Sequence, residues 1–319
     1  MAFLRQWWSR ADPDVRAFAI GYALLLPAFL VPLFVTPVLP SLDGPFHLAM
    51  ADMLSKADHD TSPYAAFYSP RWWPIPPALP WATLALLSQV FSALNALKLL
   101  IGIYIASFPL AVAAFTRRSG GSAVPALLAF PLTYNVGLHY GFLGYVFSLP
   151  ILFVMLCHAA KLLDEKSAPI RASAWLSASS SMLYGFHLET YGIGLMAALA
   201  LLATARSSLL RRSLTGISLL PSVVLFAAWH VNTPYLRAPA QRTLVDAFNA
   251  LIATRKSEVA DSWVSEVLGR LEAIPTHLLR GFRDGSDRTA SLAILLVIVV
   301  YGIVAFSSRF HVPRTHPLG

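Results

Sequence analysis

Hydrophobic residues in this chain fall into long runs that are separated by short polar loops. The runs lie at 17–39, 76–94, 97–116, 122–137, 143–163, 172–188, 190–207, 213–231 and 289–307. A helix needs about 20 apolar residues to cross the hydrocarbon core of a bilayer, and most of the runs approach that length. The pattern therefore predicts an all-α polytopic bundle of transmembrane helices.

The positions of the basic residues indicate which runs cross, because short cytoplasmic loops are enriched in Lys and Arg. If every run crossed, the basic clusters at 117–118, 161–171 and 206–212 would lie outside. Prolines interrupt the start of the run 76–94, which makes it a poor transmembrane helix. Treating that run as a juxtamembrane or re-entrant helix predicts about eight spans, with both termini cytoplasmic and the acidic loop 40–75 outside.

This topology divides the chain into three parts. Residues 1–231 form a transmembrane module whose first outer loop is 40–96, and residues 289–319 form a last transmembrane helix with a cytoplasmic tail. The outer loop 232–288 between them has two stretches with apolar residues at helical spacing. They predict either amphipathic helices on the bilayer surface or a helical pair packed on the bundle.

Composition supports a membrane protein and argues against other classes. Hydrophobic residues make up 56% of the 319 residues and charged residues 13%, whereas soluble domains carry roughly a quarter charged residues. The net charge of +8 does not indicate a nucleic-acid partner, since the basic residues flank apolar runs. The single cysteine, Cys157, has no intramolecular disulfide partner, and no zinc-type Cys/His spacing occurs.

An acid and a histidine follow directly after the first run, in the segment 42–47 (LDGPFH). Asp43 and His47 are four residues apart and would share one face of a helix. Pro45 suits the first turn of that helix. The spacing predicts a catalytic pair at the mouth of the bundle, or else an Asp43 that serves only as the N-cap.

The predicted topology places further polar side chains on the outer side, where they tend to be functional or paired. The candidate substrate-binding residues among them are Asn135, His139, Tyr140, His187 and Glu189. Basic residues of the outer loops are candidates for holding a phosphate, or alternatively membrane anchors: Arg71, Arg255 and Lys256. Asp43, His47 and His139 are candidate ligands for a divalent metal, although no motif such as H-E-x-x-H occurs.

An outward-facing carboxylate beside the lipid suits transfer from a lipid-linked donor, with the carboxylate as general base on an acceptor hydroxyl. Residues 1–205 resemble the GT-C superfamily of integral-membrane glycosyltransferases, which includes protein O-mannosyltransferases and the aminoarabinose transferase acting on lipid A. The features that carry the resemblance are the first span, 43–47, the Pro-rich stretch 73–81, a span ending in Arg117-Arg118, and an outer turn around 135–139.

In that superfamily an acid in the first outer loop is catalytic, and the resemblance carries this role onto Asp43. Members are commonly longer, so the resemblance implies a short form whose missing C-terminal elements a protein partner would supply. The expected function is transfer of a sugar from a polyprenyl-phosphate-linked donor to an acceptor on the outer face of a bacterial inner membrane.

The alternative is a non-catalytic membrane subunit or transporter that binds a lipid or solute at the outer polar cluster. Transporters usually show broken helices and charges near the bilayer midplane, often in repeated halves. This sequence has no detectable repeat, and its polar residues gather at the ends of the runs. The pattern favours the enzyme, without indicating which sugar or acceptor it uses.

Overall fold

A computed structural model of the protein describes residues 12–38, 41–56, 64, 76 and 78–232. All regular elements within these ranges are helices, as the sequence predicts. They are α1 (Pro13–Val35), α2 (Gly44–Ser55), α3 (Ala78–Leu87), α4 (Ala93–Arg118), a 3₁₀ helix (Val124–Leu128), α5 (Ala129–Thr133), α6 (Val136–Tyr140), α7 (Leu143–Leu162), α8 (Pro169–Phe186), α9 (Leu188–Thr204) and α10 (Leu209–Asn232).

Four of the described helices are long and apolar enough to cross a membrane: Pro13–Val35, Ala93–Arg118, Leu143–Leu162 and Leu209–Val231. About half of the apolar stretch of α4 and of α7 is buried in the bundle, whereas most of that of α1 and α10 is on the outside; Leu24 of α1, for example, is 72% exposed. Lipid-facing helices have this appearance, because the bilayer takes the place of a protein core around them. These helices indicate a membrane protein, while the predicted count of about eight spans is not confirmed.

The run 76–94 contains the ten-residue helix α3 and the first two residues of α4, and α3 is half the length that a transmembrane helix needs. This agrees with a juxtamembrane position. The run 122–137, predicted as one span, is divided into the 3₁₀ helix, α5 and α6. Pro125 lies in the first turn of the 3₁₀ helix, and α5 ends before Tyr134, whose ψ of 54° is not helical. The last predicted span, 289–307, lies outside the described residues.

Ion pairs join several helix ends at one end of the bundle, here called the basic end. The pairs are Arg117 with Asp12 and Asp14, Arg118 with Asp164, and Arg211 with Glu165. The backbone N–H of Ala123 also donates to Asp14, at 2.7 Å. The basic end therefore contains two sets of helix ends. These are the starts of α1, the 3₁₀ helix, α8 and α10, and the ends of α4, α7 and α9.

The opposite end, here called the histidine end, holds the segments 41–47 and 135–141 and His187. The N–H of Leu42 donates to the carbonyl of His139 at 3.0 Å. The rings of His187 and Tyr145 are 5.6 Å apart. The basic clusters are thus separated along the helix axes from Asp43 and the predicted histidines.

The two larger of three buried clusters among the described residues hold most of the helices together. The first joins α1, α4, α5 and α7 around Leu33, Tyr104, Phe130 and Val146. The second joins α7 to α10 and includes the fully buried Leu183. The first cluster extends to α2 and α3 and so fixes the short helices that carry Asp43 and His47 to the bundle.

Candidate functional site

Asp43 lies at the N-cap of α2, as the sequence predicts, but its side chain makes no capping hydrogen bond. A capping aspartate usually has extended backbone angles that aim its carboxylate at the free amides of the first turn. Asp43 instead has φ −93° and ψ 3°. Among the described residues its half-buried carboxylate has neither a hydrogen-bond donor nor an ion-pair partner. The Asp43 side chain therefore does not cap α2, although the residue occupies the N-cap position.

The backbone around Asp43 is held by the turn that follows α6. The N–H groups of Leu42 and Asp43 donate to the carbonyls of His139 and Tyr140, each at 3.0 Å. Gly141 ends α6 with φ +86°, a conformation that glycine adopts without steric cost. These bonds fix the place of the carboxylate by main-chain contacts.

Gly141 also permits a close approach of the two segments. A Cβ atom at this position would lie 2.7 Å from Ser41 Oγ and 3.0 Å from the Asp43 backbone nitrogen. Both distances are shorter than normal van der Waals contact, so a larger residue would push the segments apart. Ser41 Oγ is itself buried and has no hydrogen-bond partner among the residues that the structure describes.

His47, one turn after Asp43, uses both ring nitrogens within the protein. The indole N–H of Trp81 donates to its Nδ1 at 2.9 Å, and its Nε2 lies 2.7 Å from the carbonyl oxygen of Gly141. An indole N–H only donates, so Nδ1 is the acceptor; a carbonyl only accepts, so Nε2 carries the proton. His47 is a neutral imidazole in its Nε2–H tautomer.

Burial favours this neutral form. Only 9% of His47 is exposed, and α2 lies outside the candidate spans. Desolvation lowers the pKa of His47 below its ordinary value of 6.5, and this effect exceeds the opposing effects of the Gly141 carbonyl and the Asp43 carboxylate. At neutral pH the ring therefore has no charge and no free lone pair.

Asn135, a predicted substrate-binding residue, is buried and fully paired. Its carbonyl oxygen caps α6 by accepting from the N–H of Leu138 at 3.1 Å. Its amide donates to the hydroxyl of Tyr104 at 3.2 Å and to the carbonyl of Leu132 at 3.0 Å. These bonds fix the position of α6 and of the turn that follows it. Asn135 therefore has a structural role beside the candidate site.

His187 also has a structural role, since it caps the start of α9 at the junction with α8. Its Nδ1 accepts from the backbone N–H of Thr190 at 3.3 Å and is 2.9 Å from the Thr190 hydroxyl oxygen. Its ring packs edge-on against Tyr145, which in turn lies against Gly137 of α6. His187 is therefore linked to the Asp43 region through Tyr145 and α6.

Three predicted binding residues are accessible at the histidine end. His139 and Glu189 are exposed, and Tyr140 is half-buried and stacked on Phe142 with ring centroids 5.7 Å apart. Exposed apolar side chains surround the same region; Leu42, Phe46 and Phe142 are each more than half exposed. The carboxylate of Asp43 thus lies beside a surface that is both apolar and accessible.

The structure brings together some of the predicted site residues and not others. One cluster contains Asp43, His47, His139 and Tyr140. Asn135 and His187 do not belong to it but contact the elements that carry it. Arg71, Arg255 and Lys256 lie outside the described residues. Within the described part, no three His, Cys, Asp or Glu side chains are placed to hold a metal ion. Of the predicted ligands, His47 has both nitrogens occupied.

Trp81 and Gly141 contact the candidate site, and the sequence assigned no role to either. Both belong to segments singled out there, the Pro-rich stretch and the glycine-containing turn. Their partners are distant in sequence: Trp81 is 34 residues from His47, and Gly141 is 94 residues from it. A hydrogen bond across such a separation leaves no periodic signal in a single sequence.

The chain matches no family model, no curated protein and no solved structure.

Proposed function

We propose that the protein is a membrane glycosyltransferase that moves a sugar from a polyprenyl-phosphate-linked donor to an acceptor hydroxyl. The observation that carries this proposal is the Asp43 carboxylate, which stands at a helix start without a capping bond. A carboxylate held by its backbone, with its oxygens available, fits the requirements of a general base. The resemblance of the chain to GT-C enzymes points to the same residue.

In the proposed reaction the acceptor oxygen attacks the anomeric carbon of the donor sugar while Asp43 takes the hydroxyl proton. The bond between the anomeric carbon and the phosphate oxygen breaks, and polyprenyl phosphate leaves with the electron pair. The protonated Asp43 then loses its proton to water. No oxidant, reductant or further substrate is required.

The apolar surface around Asp43 supports a lipid-linked donor. Leu42 is 71% exposed and Phe46 54% exposed at the end of the helix bundle. Side chains of this kind at a membrane interface can contact an isoprenoid chain, while the carboxylate faces the sugar. In the outer loop predicted at 232–288, Arg255 and Lys256, which lie outside the described residues, would hold the phosphate.

We further propose that the basic end is cytoplasmic and the histidine end external, with about eight crossings when the run 289–307 is included. The clustering of Arg117, Arg118 and Arg211 at one end supports this orientation, because cytoplasmic loops are enriched in basic residues. The active site would then face the periplasm of a bacterium, where lipid-linked sugars are consumed.

A non-catalytic subunit or transporter is the second candidate function. The observation that favours it is that five of the six other described carboxylates form ion pairs, four of them at the basic end, so a two-acid mechanism would depend on Glu189. Such a protein would bind the lipid-linked sugar without cleaving it.

Incubation of the purified full-length protein with a panel of polyprenyl-phospho-sugars distinguishes the candidates. We expect release of polyprenyl phosphate in the presence of acceptor, with and without EDTA as separate arms. Bound but intact donor across the whole panel would contradict the enzyme and favour the binding protein.

A further inference from the structure

Three consecutive carbonyl groups, those of residues 139–141, accept hydrogen bonds from the segment that carries Asp43. The first two come from the backbone N–H groups of Leu42 and Asp43, and the third comes from the ring of His47. The first two bonds are available to almost any sequence. The third depends on the His47 side chain, so it is the part of the attachment that the sequence specifies.

The same ring reaches a third element. Trp81 of α3 donates to Nδ1, and its ring centroid is 6.3 Å from that of His47 and from that of Phe46. His47 therefore connects α2, α3 and the turn after α6. Since the backbone carbonyl of Asp43 accepts from the N–H of His47 at 3.0 Å, a shift of the ring would be transmitted to Asp43 within one helical turn.

We infer that His47 is a positioning residue for Asp43, which holds the start of α2 against the turn 139–141 and exchanges no proton during the reaction. This inference rests on the proposed function for its catalytic consequence, although the geometry on which it stands is independent of the reaction. It also changes the expectation from sequence, in which His47 was half of a catalytic pair or a metal ligand. Either of those roles would require a ring nitrogen that is already bonded.

Hydrogen exchange at the N–H groups of Leu42 and Asp43 tests the positioning role without reference to activity. His47→Phe keeps an aromatic ring but removes both nitrogens, and we expect exchange at these two amides to rise about tenfold, as for the loss of one hydrogen bond. His47→Gln retains an amide that can donate to Gly141, and it should restore most of the protection. Unchanged exchange in His47→Phe would overturn the inference.

The ring itself is examined by nitrogen-15 NMR of histidine-labelled protein in nanodiscs. The signals that disappear in His47→Gln belong to His47, and we expect a protonated Nε2 and an unprotonated Nδ1 at neutral pH. Trp81→Phe should leave this tautomer in place while raising the pH at which the ring titrates, because Nδ1 is released. A charged ring, or a proton on Nδ1 in the native protein, would contradict the assignment.

Rates of sugar transfer by the native protein and the His47 variants distinguish a failure of this inference from a failure of the proposed function. His47→Phe should slow transfer by about 100-fold, the usual effect of a misplaced catalytic group, and His47→Gln should recover most of the rate. Equal losses in both variants would instead make His47 a proton carrier and overturn the positioning role. If the native protein transfers no sugar while exchange rises in His47→Phe, the proposed function fails and the positioning role stands.

Discussion

Gly141 is the residue at which the two halves of the candidate site approach most closely. Its φ of +86° disfavours any residue with a side chain, and an added Cβ would meet Ser41 and Asp43 at 3.0 Å or less. We predict that Gly141→Ala destabilises the protein by at least about 1 kcal/mol, the minimum cost of a left-handed conformation with a Cβ. Thermal unfolding of the purified protein measures this change.

Gly216→Ala is the matched control, since Gly216 lies within α10 and a Cβ there would meet no atom of the described residues within 4 Å. Alanine in a helix interior is favoured over glycine by roughly 0.5–1 kcal/mol, so this variant should unfold at the same or a higher temperature. Equal behaviour of the two variants would show that the turn at 141 does not constrain Asp43.

Burial of His47 predicts a pH dependence of stability with a definite sign. Because its pKa is lowered in the folded protein, the unfolded chain takes up the proton first as the pH falls below 6.5. The stability that neutral His47 contributes is complete above that pH and is lost as the pH falls through the folded-state pKa. His47→Gln should remove this component from melting curves recorded between about pH 5 and 8. A native protein that melts at the same temperature across that range would contradict it.

At the scale of elements, the connection between α7 and α8 is fixed to the start of α10 by one buried arginine. Arg211 donates through Nη2 to the carbonyls of Glu165 and Ser167, each at 2.9 Å, and its side chain is 10% exposed. Arg211→Ala would leave both carbonyls without this donor, which costs about 1–3 kcal/mol for a buried acceptor. The nearby Arg206 is exposed, so Arg206→Ala should change the melting temperature little. Similar losses in both variants would contradict this role.

Some of the helices and contacts could be predicted from the sequence, and others could not. Local signals were sufficient for the helix that starts after Asp43, the proline-limited α3 and the long apolar helices α1, α4, α7 and α10. They failed at 122–137, where hydropathy indicated one span and the chain instead forms short helices. The bonds of His47 to Trp81 and Gly141 were beyond any local signal, because each joins segments whose proximity depends on the packing of α2, α3 and α7.

At the scale of the whole molecule, the separation of the basic end from the histidine end predicts a labelling pattern. In a Cys157→Ser background, a cysteine at Ser119 near the basic end should resist an impermeant reagent applied from outside the cell. A cysteine at Phe142, which is 52% exposed at the histidine end, should react. The reverse pattern would invert the proposed orientation, and labelling of both from outside would contradict the separation of the basic end from the histidine end.

The central claim is that the Asp43 carboxylate is the general base, and Asp43→Asn tests it most directly. Asparagine keeps the shape of the side chain and is as good an N-cap as aspartate, but it cannot accept the proton. The measurement is the rate of polyprenyl phosphate release by the purified variant from whichever polyprenyl-phospho-sugar the native protein uses. We predict a normal melting temperature and a rate lower by at least about 100-fold, as for loss of a general base. A variant that folds normally and transfers sugar at the native rate would contradict the claim.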